Sequence, residues 1–176
     1  MLLAIVLLAV GFVLLHNGVA GFIKKDPPDG KSSAFVNLAG GGVIIVCAVI
    51  DTVINGAGFG TGIFFLVGIT YLYLGFNNLF SFNVKPLSWY CLFVAIFLAL
   101  GMVFSIRDVI SAESVTLALV SFIAFYLLWA VLWAAIFVED AFGKKLGKLL
   151  PILCLIQAGV TGIFPAIMMF GGWGGF

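Results

Sequence analysis

The chain has 176 residues, of which 64% are hydrophobic and only 9% charged. Soluble domains run at about 45–50% apolar and about 25% charged, and the mean hydropathy of +1.32 agrees that this is an integral membrane protein, not a soluble, disordered or disulfide-built one. The net charge of +1 carries little information, and no basic patch supports a nucleic-acid partner.

A spanning helix takes about 20 apolar residues at ~1.5 Å rise each. Six spans with short loops nearly fill the chain and leave no room for a soluble catalytic domain. The apolar runs do not alternate, which argues against a β-barrel. Charged and turn residues predict spans at about 1–23, 33–54, 59–80, 87–106, 114–138 and 149–170, within one transmembrane domain over residues 1–176. Lys24, Lys25, Asp26, Pro27, Pro28, Asp29, Gly30 and Lys31 interrupt the first two spans. A short turn at 55–58 joins the next pair, and Asn83, Val84, Lys85 and Pro86 close the third span. A polar connection is expected at 107–113, the most charged loop at 139–148, and a short Gly-rich tail after 170. The first span reads as a retained helix, since its lysines follow the apolar run and no basic leader precedes it.

Loops after the odd-numbered spans hold Lys24, Lys25, Lys31, Lys85, Lys144, Lys145 and Lys148, while the other side has only Arg107. Cytoplasmic loops carry the excess of Lys and Arg, so the lysine side is expected inside and both termini outside. Each odd span, its basic turn and the following even span then make a hairpin, three in all.

Polar groups inside the spans are few and mostly neutral. They are His16 and Asn17, Asn37, Asp51 near an outer end, Thr70, Tyr71, Tyr73, Asn77 and Asn78, Ser121 and Tyr126, and Gln157 and Thr161. No Asp, Glu, Lys or Arg lies mid-membrane, where ion-coupled pumps and proton relays usually need one. A small, neutral, polar solute fits this lining better than a charged one. Phe122, Tyr126, Trp129 and Trp133 are spaced 4, 3 and 4 apart, on one helical face. They form either an interfacial belt or lipid-facing stripe, or a pore-lining or tightly packed face, and Tyr126 and Trp129 sit deep for a belt. An aromatic slot suits flat urea and small amides, whose faces lie on rings while their edges seek hydrogen bonds. A hydrated ion stripped of water there loses several kcal/mol or more.

Other features point to packing. His16 is expected to bond a backbone carbonyl or reach the interface, and Asn17 to bridge two helices. Cys47, Cys91 and Cys154 match no metal or redox spacing. Gly40, Gly41 and Gly42, Gly58, Gly60 and Gly62, and Gly159 and Gly162 lack the context of a phosphate loop and are expected to let helices approach closely. No catalytic cluster, metal site or cofactor site is evident.

These residues carry a resemblance to the AmiS/UreI family of bacterial urea and short-chain amide channels. Met1-Leu2 through Val10-Gly11 to Asn17-Gly18 resembles the family's first helix, and Thr70-Tyr71-Leu72-Tyr73 with Asn77 its third. The run Ser88-Trp89-Tyr90-Cys91-Leu92-Phe93-Val94-Ala95-Ile96 is similar to the fourth. Trp129-Ala130-Val131-Leu132-Trp133 with Phe137-Val138-Glu139 is similar to the fifth, and Thr161 and Pro165 to the sixth. The resemblance covers nearly the whole chain.

It implies an all-α membrane protein with six helices in three hairpins, a pore through each protomer, and a homohexameric ring whose centre is filled by lipid. The implied pore positions are Leu14, Tyr71, Trp129, Leu132 and Trp133, with Gln157 where urea channels often have Glu. Asn17 and Tyr126 join the candidate lining. The implied function is passive passage of urea or a short-chain amide such as acetamide across the bacterial cytoplasmic membrane, feeding a cytoplasmic urease or amidase. Two departures bear on this. Gln157 cannot ionise, though its amide still donates and accepts hydrogen bonds. Acid-gated members carry a longer, His-rich outer loop, and no histidine occurs in either outer turn here. With the usual switch between pH 5 and 8 missing, strong acid gating is not expected, and Asp108 and Glu113 remain as outer acids. The alternative is a proton-coupled transporter of the same solutes, using Asp51, His16 or Glu139. A non-transporting scaffold is a third reading.

Overall fold

The computed structural model describes residues 1–23 and 30–172; the lysines and prolines at 24–29 and the tail at 173–176 lie outside the described residues. Every regular element among the described residues is helical. The first five helices are α1 (Leu2–Phe22), α2 (Gly30–Asn55), α3 (Phe59–Phe80), α4 (Lys85–Ser111) and α5 (Leu117–Phe142). The sixth span, Leu149–Phe170, is α6 (Leu149–Gln157), a π-helical stretch (Ala158–Ile163) and α7 (Phe164–Phe170). The six spans are 21 to 28 residues long and apolar enough to cross a membrane.

Helix ends follow capping chemistry more than charge. Arg107 and Asp108, expected in a connection, lie on the last turns of α4, which continues to Ser111. A charged pair ends no helix when its side chains reach the headgroup region. Thr116 Oγ1 accepts from Leu119 N at 3.2 Å and sets the start of α5, later than the expected 114. The far end of α5 runs through Glu139 and Asp140 to Phe142, where Gly143 turns left-handed at φ 63°. Pro86 sits in the first turn of α4, where a missing N–H costs nothing.

The π-helical stretch has a cause in the sequence. Pro165 has no N–H to offer the carbonyl one turn back, and its ring crowds that turn. The helix widens just before it, over Ala158–Ile163.

Each helix packs against its neighbour in the chain, and α1 packs along the sixth span, so the six form a closed ring. The most extensive contacts, α2 with α3 and α4 with α5, are between helices joined at the end where the chain starts. Because most helices are apolar all round, hydrophobic periodicity does not choose the buried face. Small and polar residues do. At the α1–sixth-span crossing, a Cβ on Gly162 would stand 2.5 Å from Gly11 Cα, so the backbones touch. Between α2 and α3, a Cβ on Gly41 would stand 2.9 Å from the Gly68 carbonyl oxygen. Gly42, Gly58, Gly60, Gly62 and Gly159, expected at close approaches, have nothing within reach of a Cβ. For Gly60 the reason is that the ring opens there.

Polar residues stitch α1 to α2 near the lysine-rich end. Asn17 and Asn37 exchange amide hydrogen bonds of 3.1 and 3.0 Å, and His16 Nε2 shares one of 3.2 Å with Ser33 Oγ. The outward faces are left apolar, as on α1 with Leu8, Phe12, Leu15 and Val19.

Candidate pore

At the end where the chain starts, the ring encloses a cavity of about 270 Å³. Leu3 and Leu7 from α1, Phe64 from α3 and Phe122, Phe125 and Tyr126 from α5 form its wall. Ser105 and Asp108 of α4 form its polar side, and Trp129 lines it at the deepest point along α5. A second cavity of about 350 Å³ shares Gly60, Ser105, Asp108 and Tyr126 with it. Arg107 leans over the Phe104 ring at 5.6 Å and pairs with Asp108 at 3.0 Å.

Two indoles follow one another along α5. Trp129 is 3% and Trp133 1% exposed. Trp129 Nε1 donates to Thr161 Oγ1 at 2.7 Å, and that hydroxyl donates to the Gln157 carbonyl at 2.8 Å. Trp133 Nε1 donates to Thr70 Oγ1 at 3.2 Å, and that hydroxyl donates to the Leu66 carbonyl at 2.9 Å. The Tyr126 ring stands edge-on to Trp129 at 6.5 Å, and Tyr71 edge-on to Trp133 at 6.1 Å. Leu14 and Leu132 are buried in the same core.

Some buried polar atoms of the interior have no partner among the described residues. They are the Tyr71 hydroxyl, Gln157 Oε1 and both amide atoms of Asn77. Such groups are rare in folded interiors and call for an explanation. Gln157 is held from its other side, where Nε2 donates to the Leu128 carbonyl at 2.8 Å. This amide and phenol chemistry can bond a neutral solute at both its carbonyl and its N–H edges.

Two of the acids near helix ends have local hydrogen-bond partners. Asp51 accepts from Thr61 Oγ1 at 2.6 Å and Asn55 Nδ2 at 2.7 Å. Glu139 Oε2 accepts from Leu146 N at 3.3 Å. Cys47, Cys91 and Cys154 are free thiols, and among the described residues no three ligands cluster for a metal.

The structure therefore divides the expected aromatic ladder. Phe122, Tyr126 and Trp129 line the first cavity, Tyr126 also the second, whereas Trp133 is buried beyond them. Trp133, Tyr71, Leu14, Leu132, Trp129 and Gln157 fall in the interior, while the Asn17 amide is committed to Asn37. Sequence reasoning did not assign Thr70 and Thr161 as indole acceptors, nor Asn77 as an unpartnered amide. The bonds to the threonines join residues 63 and 32 positions apart, so only the fold brings them together.

Residues 2–173 match the model of the AmiS/UreI family transporters. The acid-activated urea channel of Helicobacter pylori strain J99 is 33% identical, with 96% of this chain and 97% of the relative covered. A proposed transporter of amidate substrates from Mycolicibacterium smegmatis is 30% identical over 93% of this chain and 74% of the relative. Among solved structures, the Helicobacter pylori urea channel in its closed state, determined by cryoEM, superposes with a TM-score of 0.82 at 34% identity, covering 96% of this chain and 97% of that one. The crystal structure of the Helicobacter pylori urea channel gives a TM-score of 0.81, with 97% of each chain covered. A six-helix ring with a largely apolar and aromatic interior, a family match over residues 2–173 and relatives over nearly all of the chain give the assignment: the chain belongs to the AmiS/UreI family of transporters.

Proposed function

We propose that this protein is a passive channel for urea and short-chain amides such as acetamide, and that residues 1–176 act as one channel domain. The observation that carries this reading is the buried run of Trp129 and Trp133 beside the unpartnered Tyr71 hydroxyl and Gln157 Oε1. A flat amide passes between the rings and exchanges water for these groups, while an ion pays its desolvation unrelieved. Leu14 and Leu132 narrow the path, Tyr126 lines the approach from the cavity, and Asn17 braces α1 against α2. The channel makes and breaks no covalent bond. Its product is a cytoplasmic supply of substrate for a urease or amidase that releases ammonia.

The lysine bias supports a bacterial cytoplasmic-membrane protein with both termini outside. The apolar outward faces support contact with lipid and with further copies, in a homohexamer as the resemblance implies. Strong acid gating is not part of the reading. The turn between α2 and α3 is short, and the single histidine is bonded to Ser33 at the opposite end. Proton coupling has little to work with, since Asp51, His16 and Glu139 each have a local partner.

The test is urea uptake into proteoliposomes with and without an imposed pH gradient. Equal rates support the channel. Uptake that follows the gradient overturns it in favour of a proton-coupled transporter.

A further inference from the structure

The two buried indoles are held by the same device, built twice on different helices. An indole N–H only donates. Each threonine hydroxyl has one proton, and both give it to the carbonyl four residues back, Leu66 for Thr70 and Gln157 for Thr161. Each hydroxyl oxygen is therefore left to accept, and what it accepts is the indole N–H of Trp133 or Trp129. Both chains of bonds run one way, from indole through hydroxyl to helix backbone; at Thr70 the Tyr90 hydroxyl joins the network, donating to the same Leu66 carbonyl at 2.9 Å. With both indoles buried, the low local dielectric strengthens these bonds.

The second copy spans the lumen. Trp133 is on α5 and Thr70 on α3, two helices that share no extensive contact in the ring. The indole is thus anchored at its Cα to one wall and at its N–H to a wall that is not adjacent. By contrast, the Tyr71 hydroxyl and Gln157 Oε1 are left unbonded. The threonines saturate the indoles, and other groups remain for the solute.

We propose that Thr70 and Thr161 are positioning residues that lock Trp133 and Trp129 into a slot of fixed width, and so set the size discrimination of the pore without touching the solute. This rests on the channel reading above. Without its acceptor an indole regains torsional freedom, and the slot admits broader molecules.

The experiment compares wild type with Thr70→Val, Thr161→Val, Thr70→Ser and Thr161→Ser. Stopped-flow uptake of urea and of N,N′-dimethylurea into proteoliposomes gives a permeability ratio. Ultraviolet resonance Raman spectra report indole N–H hydrogen bonding. The valine variants are expected to lower the urea to dimethylurea ratio several-fold while still passing urea, and to show one indole with a free N–H. The serine variants, which restore the acceptor, are expected to recover both properties. A wild type that conducts, together with valine variants of unchanged ratio and unchanged indole spectrum, overturns the role of the threonines alone. A wild type that passes neither solute overturns the channel reading and the selectivity role with it.

Discussion

Gln157 is bonded on one side only: its Nε2 donates to the Leu128 carbonyl at 2.8 Å, while Oε1 meets no protein group. The residue is fully buried just before the helix widens into its π-helical stretch. An amide there is anchored to α5 and still presents an acceptor. Gln157→Glu keeps the shape but keeps a donor toward Leu128 only when the carboxyl is protonated. Urea flux through this variant is expected to persist and to rise as pH falls, whereas wild-type flux stays level. Uptake measured across pH about 5 to 8 checks this, and a flat profile for the variant removes Gln157 from the path.

Trp129→Ala and Trp133→Ala each remove an indole from the interior. Both are expected to change urea flux while the purified protein keeps its oligomeric state, as read by light scattering. Variants that transport like wild type take these residues out of the constriction.

Asn17 and Asn37 separate bracing from conduction. Removing Asn17 leaves the fully buried Asn37 without either bond of the exchange and with only its donation to the Ser33 carbonyl at 2.8 Å. Asn17→Ala is expected to cost about 1–2 kcal/mol, and the double variant with Asn37→Ala less than the sum of the two singles. Thermal unfolding in detergent measures the cost. Flux per folded protein is expected to hold, and a specific loss of flux at normal stability would place Asn17 in the pore.

The Gly11–Gly162 crossing leaves no room for a methyl group. Gly162→Ala is expected to push α1 from the sixth span and destabilise the protein by about 1–3 kcal/mol. Gly42→Ala, where nothing lies near and where alanine suits a helix interior better than glycine, is the control and is expected to be at least as stable as wild type. Thermal scans of the two variants compare them directly.

Much of this architecture is written plainly in the chain. Apolar runs longer than a bilayer is thick, divided by lysines and prolines, determine six spans. The ends of α4 and α5 are harder to read, because Arg107, Asp108, Glu139 and Asp140 look like loop residues but lie within the last turns of helices. The cap residues Thr116 and Gly143 mark the two ends of α5 more faithfully. For the candidate site, the indoles stood out as an aromatic stripe at helical spacing. Their acceptors did not. Thr70 and Thr161 are ordinary threonines until the ring closes, since a span that is apolar all round does not declare which face turns inward. Likewise, the sequence does not reveal that Tyr126 meets α4 at Gly101 and joins Trp129 in the wall of the cavity.

A passive pore for neutral solutes without an acid switch conducts at any pH and needs no gradient. Stopped-flow uptake of urea and acetamide into proteoliposomes, with no gradient imposed, near neutral pH and at pH about 5.5, decides whether this chain is one. Rapid, non-saturating uptake well above empty liposomes is expected at both pH values, with the faster solute identifying the preferred substrate. Uptake absent near neutrality and present only in acid would contradict it.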